Sequence, residues 1–308
     1  MQLASTPLPL RVITHNIRYA TSSPFRGEEP WPNRLPLLIS QLHHLTSATP
    51  SIPTIICLQE VLHSQLTDIL STLNSNLPDN LHWASIGVHR DDGHFAGEAS
   101  PVLYQPVTFT PQTNNTTWLS PTPGKPSKGW DAASIRIITH GIFQHLPSRR
   151  QLVFMSTHLD DQGSQSRFHA AEMIINIASE YQKQGLPVIL AGDFNSEVTD
   201  EAYKRLAEDD SGVTDVINHV GKAGVYGEQN TYTGFGYEGE SEKRIDFIFV
   251  NDSVVGKTIE QDSQSQGESV AKEKDWKVNG YAVMPNKFKD IGVFVSDHRA
   301  VVADLELQ

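Results

Sequence analysis

Four apolar runs in this chain end on residues able to hold a metal ion or a phosphate, and that pattern limits the fold more than any other feature. Asn16 follows Arg11-Val12-Ile13-Thr14-His15, and Glu60 follows Ile55-Ile56-Cys57-Leu58-Gln59. His158 follows Leu152-Val153-Phe154-Met155-Ser156-Thr157, while Asp193 and Asn195 follow Val188-Ile189-Leu190-Ala191-Gly192. A fold that buries its strands and gathers polar side chains at one sheet edge uses such a pattern directly, because strand ends give loops a rigid base.

Eight segments rich in Val, Ile and Phe read as short buried strands: Leu10–Ile17, Ile52–Leu58, Ser85–Val88, Ala132–Thr139, Leu152–His158, Pro187–Ala191, Ile245–Val250 and Arg299–Leu305. Leu35–Leu45 has helical spacing, with Leu35, Leu38, Ile39, Leu42 and Leu45 on one face. Ser166–Gln184 places Phe168, Ala171, Ile174, Ile175, Ala178 and Tyr181 together and stops at Gly185, with Pro187 just beyond. Helices follow some strands, while other strands run in succession. The expected class is therefore α/β, with stacked sheets and helices outside rather than one doubly wound sheet. Pro121–Lys128 is too short to separate domains, and Thr258–Val278 reads as a polar surface loop or insertion. Residues 1–308 are expected to form a single domain.

Composition removes several classes. The 308 residues carry 24 Lys+Arg and 36 Asp+Glu, a net charge of −12, and 38% are hydrophobic, so a large core is available and disorder is excluded. No apolar run approaches the roughly 18 residues of a membrane span. The single cysteine, Cys57, permits no internal disulfide. An acidic chain gains no long-range attraction to nucleic acid, which disfavours a non-specific coat but not an enzyme holding phosphate through a metal ion. The segment after Met1 lacks a secretory leader, so an intracellular location is expected, with secretion open if the sequence was trimmed. A monomer is expected.

Taken singly, the polar residues have ordinary explanations. Asp193 and Asn195, at i and i+2, can face one phosphate or water while Phe194 enters the core, yet Gly-Asp-Phe-Asn is also a common turn. Asn16 can cap a turn, Glu60 can end a strand in solvent, and His158 can be a hydrogen-bonded structural histidine. Asp246, between Ile245 and Phe247, can pair with Arg244. Asp297 and His298 share a site only if Ser296–Arg299 is a loop or bulge. Together they form a set of oxygen ligands and histidines without paired cysteines, which suits Mg²⁺ or Mn²⁺ rather than structural zinc. No phosphate-binding glycine loop or nucleophile elbow is present.

Six pieces, in this order, resemble the endonuclease/exonuclease/phosphatase superfamily over roughly Val12 to Leu305: Thr14–Arg18, Leu58–Val61, Ser156–Asp160, Gly192–Asn195, Arg244–Ile248 and Ser296–Arg299. The resemblance implies a four-layer α/β sandwich, two packed mixed β-sheets flanked by helices. It implies Glu60 as the main Mg²⁺ ligand, with Asn16 beside it and Asp297 as a further ligand, and Mn²⁺ as a substitute ion. It implies His298 as general base oriented by Asp246, with Asp193 positioning the attacking water. Asn195 would hold a phosphate oxygen, and His158 would contact the phosphate and protonate the leaving oxygen. A narrower likeness, to a poorly characterised branch of bacteria and fungi, runs through Glu29–Arg34, Gly87–Gly93, Gly97-Glu98, Trp118–Pro123 and Gly129–Ala133. On it, Arg34 or Arg90 could bind a second anionic group, and Trp31 or Trp130 could stack on a base or sugar ring. The plainer reading makes these tryptophans loop anchors and these arginines ion-pair partners. Position 18 is Arg where abasic-site endonucleases carry an acidic residue, which argues against a second metal ligand there.

The expected activity is Mg²⁺-dependent phosphoester hydrolysis, in-line and without a covalent intermediate, by a phosphodiesterase of nuclease type acting on RNA or DNA. The alternative is a hydrolase of small phosphoesters such as sugar, inositol or lipid head-group phosphates. A silent binding protein on the same scaffold is the third reading, and filled catalytic positions place it last.

Overall fold

The computed structural model describes residues 6–47, 52–237, 239–252 and 276–308. Two seven-stranded mixed sheets face each other. The first runs, edge to edge, Val225–Gly227, Trp276–Val283, Val301–Leu307, Leu8–Asn16, Thr54–Gln59, Val102–Tyr104, Ala84–Ile86. The second runs Val213–Asp215, Asp246–Asn251, Val188–Asp193, Gln151–His158, Ile137–His145, Phe109–Pro111, and Asn115–Trp118 also pairs with Ile137–His145.

Alternate residues of each strand serve different cores. Leu10, Val12, Ile55 and Cys57 of the first sheet meet Phe154, Ile189, Ile248 and Val250 of the second. Ile13, Ile56 and Leu58 point the other way, toward helices Trp31–Ser47 and His63–Asn74. Val153, Met155, Leu190, Phe247 and Phe249 point out of the second sheet toward helices Ser164–Gln182 and Glu201–Leu206. The layers are thus helix, sheet, sheet, helix. Strands buried on both faces read as continuous apolar runs, which is why the sequence shows runs rather than alternation. Each side chain fully buried here contributes roughly 1.5–3 kcal/mol of transfer free energy.

Several sequence expectations shift. The strand expected at Ala132–Thr139 lies at Ile137–His145. Asp160 accepts the backbone N–H groups of Ala133 and Ser134, both at 3.0 Å, and so holds that stretch as a loop. Phe168 is exposed, and Ala170 joins the buried face in its place. Helix His63–Asn74 was not expected, because its buried face rests on only Gln65, Ile69 and Leu73. Residues 258–275 of the expected loop lie outside the described residues, and its last residues begin strand Trp276–Val283. Among the described residues no helix is long and apolar enough to cross a membrane.

Candidate active site

Strand register builds the site. On the second sheet Asp193 stands opposite Asp246 on one neighbour and His158 on the other, so one row across three strands carries three of the expected residues. On the first sheet Asn16 lies opposite Gln59, which puts it one residue from Glu60. Glu60 leaves its strand with φ 59°, and Asn195 has φ 46°, left-handed turns that bring both side chains back toward the row. Gly192 permits the close strand approach, since a Cβ there would lie 2.1 Å from the carbonyl oxygen of Thr157. Phe194 is fully buried against Phe247 and Phe249, which fixes the residues on either side of it.

The polar groups converge. Asn16 Nδ2 donates to Glu60 Oε1 at 3.0 Å and to Asp193 Oδ2 at 2.9 Å, joining the two sheets. His298 Nδ1 lies 2.9 Å from Asp246 Oδ2, and its Nε2 lies 3.6 Å from Asp193 Oδ2. Asn195 Nδ2 lies 3.0 Å from His158 Nε2, and His158 Nε2 lies 3.5 Å from Asp193 Oδ2. Ser296–Arg299 is a loop, as a shared Asp297–His298 site requires: Ser296 Oγ donates to Asn16 O at 2.6 Å and accepts the His298 N–H at 3.1 Å. Glu60, His158, Asp193, Asn195, Asp297 and His298 line a cleft of about 860 Å³, together with Arg18, Arg90, Glu98, Arg136 and Lys243, while Asn16 and Asp246 bond to these residues from behind its wall.

Charge in this cleft is unevenly balanced. Burial, then Asp246, pushes Asp193 above the usual carboxylate range. Burial, then Glu60, does the same to Glu98. Burial also raises Asp297, with Glu60 adding to it. Burial alone would lower His298, but Asp246 and Asp193 outweigh it and hold the imidazole well above its ordinary value. His158 is driven well below it by burial, with Arg136 and Arg90 adding to the effect. Buried carboxylates held high beside further carboxylates, as Asp193, Glu98 and Asp297 are, mark a site short of positive charge, and an oxygen-rich donor set without thiolates fits a hard divalent ion. Glu60, Asn16 and Asp297 could hold one, and Asp193, Asp246 and His298 bring ligand atoms within 4.8 Å of one another. Of that trio, Asp246 and His298 already bond each other.

Not every expected residue reaches the cleft. Arg34 is fully buried and donates to the carbonyls of Ile17, Arg18, Tyr19, Glu29 and Val295, so it braces the loop after Asn16 and has no free face for an anion. Trp31 opens its helix, and its Nε1 donates to Asp68 at 2.9 Å. Trp130 stacks on His169, with ring centroids 4.5 Å apart, and is not among the residues that line the cleft. Arg90 does line the cleft, paired with Glu98 at 2.8 Å. Sequence reasoning gave no role to Glu98, whose Oε2 lies 3.7 Å from His158 Nδ1, or to Arg136, paired with Asp161 at 2.8 Å. Nor did it find Thr231, whose hydroxyl accepts the Ile245 and Asp246 N–H groups, or Thr233, which donates to Asp297 O. Glu98 stood inside a segment of the narrower likeness, and the two threonines carried no signal.

The sequence model described as "Endonuclease/Exonuclease/phosphatase family" matches residues 13–298. The chain belongs to this family, whose members are hydrolases acting on phosphoesters. It is similar to an endonuclease/exonuclease/phosphatase structure from Bacteroides vulgatus: 28% identity, 98% of this chain and 100% of that one, TM-score 0.76. A mannosyl-6-phosphatase from Bacteroides thetaiotaomicron is 27% identical, covers 96% of this chain and 99% of that one, and superposes with TM-score 0.76. Nocturnin from Xenopus laevis is 31% identical over 103 residues, which span 32% of this chain and only 26% of that protein.

Proposed function

We propose that this chain is a divalent-cation-dependent phosphoester hydrolase acting on a small phosphorylated compound, a sugar phosphate foremost. The observation that carries the reading is that the Asp246–His298 pair and the Asn16–Glu60 pair meet at Asp193, with Glu60, Asp193 and His298 lining one cleft. Glu60, Asn16 and Asp297 would hold the ion, which when bound offsets charge on the phosphoryl oxygens. His298 Nε2 takes the proton of the attacking water, and Asp246 on Nδ1 fixes the tautomer and steadies the imidazolium that forms. Neutralising the cleft's carboxylates with a cation draws His298 back toward the range in which an imidazole accepts a proton. Asp193 orients the water, while Asn195 and His158 contact the phosphate. Asp297 is anchored through its carbonyl, which accepts Thr233 N–H at 2.7 Å.

Cleft charge favours a small substrate over the nuclease reading. Among the described residues, eight carboxylates line it (Glu60, Glu98, Asp161, Asp193, Glu197, Asp200, Glu240, Asp297) against four Lys/Arg side chains (Arg18, Arg90, Arg136, Lys243). A polynucleotide needs the reverse balance along its backbone, whereas carboxylates suit the hydroxyls of a sugar. The likeness to a mannosyl-6-phosphatase over nearly the whole chain supports the same choice. The test is phosphate release from hexose 6-phosphates and cleavage of bis-p-nitrophenyl phosphate and single-stranded RNA, each with Mg²⁺ and with EDTA. Metal-dependent release from a sugar phosphate is expected. RNA cleavage without monoester hydrolysis would return the nuclease reading, and full activity in EDTA would end both.

A further inference from the structure

The side chains behind Glu60 form a ladder of alternating charge. Arg34, fully buried, lies 3.7 Å from Glu28; Glu28 lies 3.4 Å from Arg18; Arg18 Nη1 lies 3.6 Å from Glu60 Oε2 at the cleft wall. Nothing in the proposed hydrolysis requires this ladder. Its last cation is unusually well fixed. The Arg18 guanidinium lies between the rings of Tyr19 and Phe25, 4.2 and 4.5 Å from their centroids. Its backbone has φ 58°, and its N–H donates to Asn16 Oδ1 at 2.9 Å. Arg34 grips the carbonyls on both sides of it, those of Ile17 and Tyr19 as well as its own. The other Glu60 oxygen is left to Asn16, on the side of Asp193.

We propose that Arg18 is a resident cation that occupies one of two positive positions around Glu60, so that the site takes a single divalent ion. The inference rests on the reading of the cleft as metal-dependent and deepens it. A second ion held by Glu60 on the Arg18 side would be repelled by a fixed positive charge that already stands 3.6 Å from that carboxylate oxygen, with both side chains largely buried. Arg18 cannot relieve this by losing its proton, because an arginine keeps its charge. It cannot swing away either, because Glu28 and two aromatic faces hold it. Arg18 also supplies some of the charge balance for which two-ion phosphoryl-transfer sites use their second metal. It is a positioning residue, since it acts through Glu60.

The test is calorimetric titration of the full chain with Mn²⁺ alone, without substrate, beside Arg18→Asp and Arg18→Met. Folding is checked by circular dichroism, and ion pairing by the electron paramagnetic resonance of bound Mn²⁺. The parent is expected to bind one ion with an uncoupled spectrum. Arg18→Asp, with the charge reversed and a ligand added, is expected to bind two, with the broadened spectrum of a coupled pair. If Arg18→Asp does not fold, Arg18→Met carries the same readout and is expected to show a second binding event absent from the parent. Two ions on the parent, or one ion on every folded variant, overturns the assignment of Arg18 and leaves metal-dependent hydrolysis standing. No Mn²⁺ bound to the parent would instead end the functional reading itself.

Discussion

His298 is held at both ends, by the Asp246 carboxylate on one ring nitrogen and by the loop bonds of Ser296 on its backbone. In the proposed role of general base, a histidine so placed contributes typically two to four orders of magnitude to a proton-transfer step. His298→Ala is therefore expected to lower kcat on the best sugar phosphate by about 10²–10⁴, and a loss below threefold would remove it from that role. Asp246→Asn should keep the fold and cost a large share of the same factor, because an amide can present its own N–H to Nδ1 and reverse the tautomer. Rates near the parent's for Asp246→Asn would show that the pair is structural.

At the scale of elements, the strand that ends at Asp193 depends on the residue just beyond it. Phe194 is an apolar plug between two polar residues, and Phe194→Ala should cost about 3–5 kcal/mol in urea unfolding. The same substitution should lower activity by more than the unfolded fraction explains, since Asp193 and Asn195 lose their common anchor. His140 ties three elements: its Nδ1 lies 2.8 Å from the Tyr181 hydroxyl on one helix, and its Nε2 lies 3.0 Å from Thr117 Oγ1 on the next strand. Burial lowers its pKa to about 4. The folded state then binds fewer protons than the unfolded chain between the ordinary histidine value and that lower one. Stability should therefore fall as pH drops through this window, by at most about 1.4 kcal/mol per pH unit from this residue. His140→Gln, which does not titrate, should lose less than the parent between pH 7 and pH 4.5, and parallel losses would exclude His140 as the source. These elements also show what the sequence could reveal. The runs ending at Asn16, Glu60, His158 and Asp193 were legible because strands buried on both faces need unbroken apolar stretches. Helix His63–Asn74 was not, because its burial rests on few residues, nor was Glu98, whose partners are distant in sequence. Arg34 misled for a physical reason: no local pattern separates an arginine facing an anion from one buried against five carbonyls.

For the whole molecule, two acidic quantities coincide: the net charge of −12 and the carboxylate majority in the cleft. Hydrolysis of a small sugar phosphate should therefore vary little between about 50 and 200 mM salt, whereas a polynucleotide enzyme loses affinity steeply over that range. A steep log–log dependence would point back to a polymeric substrate. EDTA should abolish turnover and added Mg²⁺ or Mn²⁺ restore it. The inter-sheet core has one more use. Cys57, the only thiol of the chain, lies in that core, and burial pushes its pKa up to about 12. A maleimide or disulfide reagent should thus find nothing to attack until the two sheets come apart, and the rate of labelling becomes a clock for the opening of the sandwich.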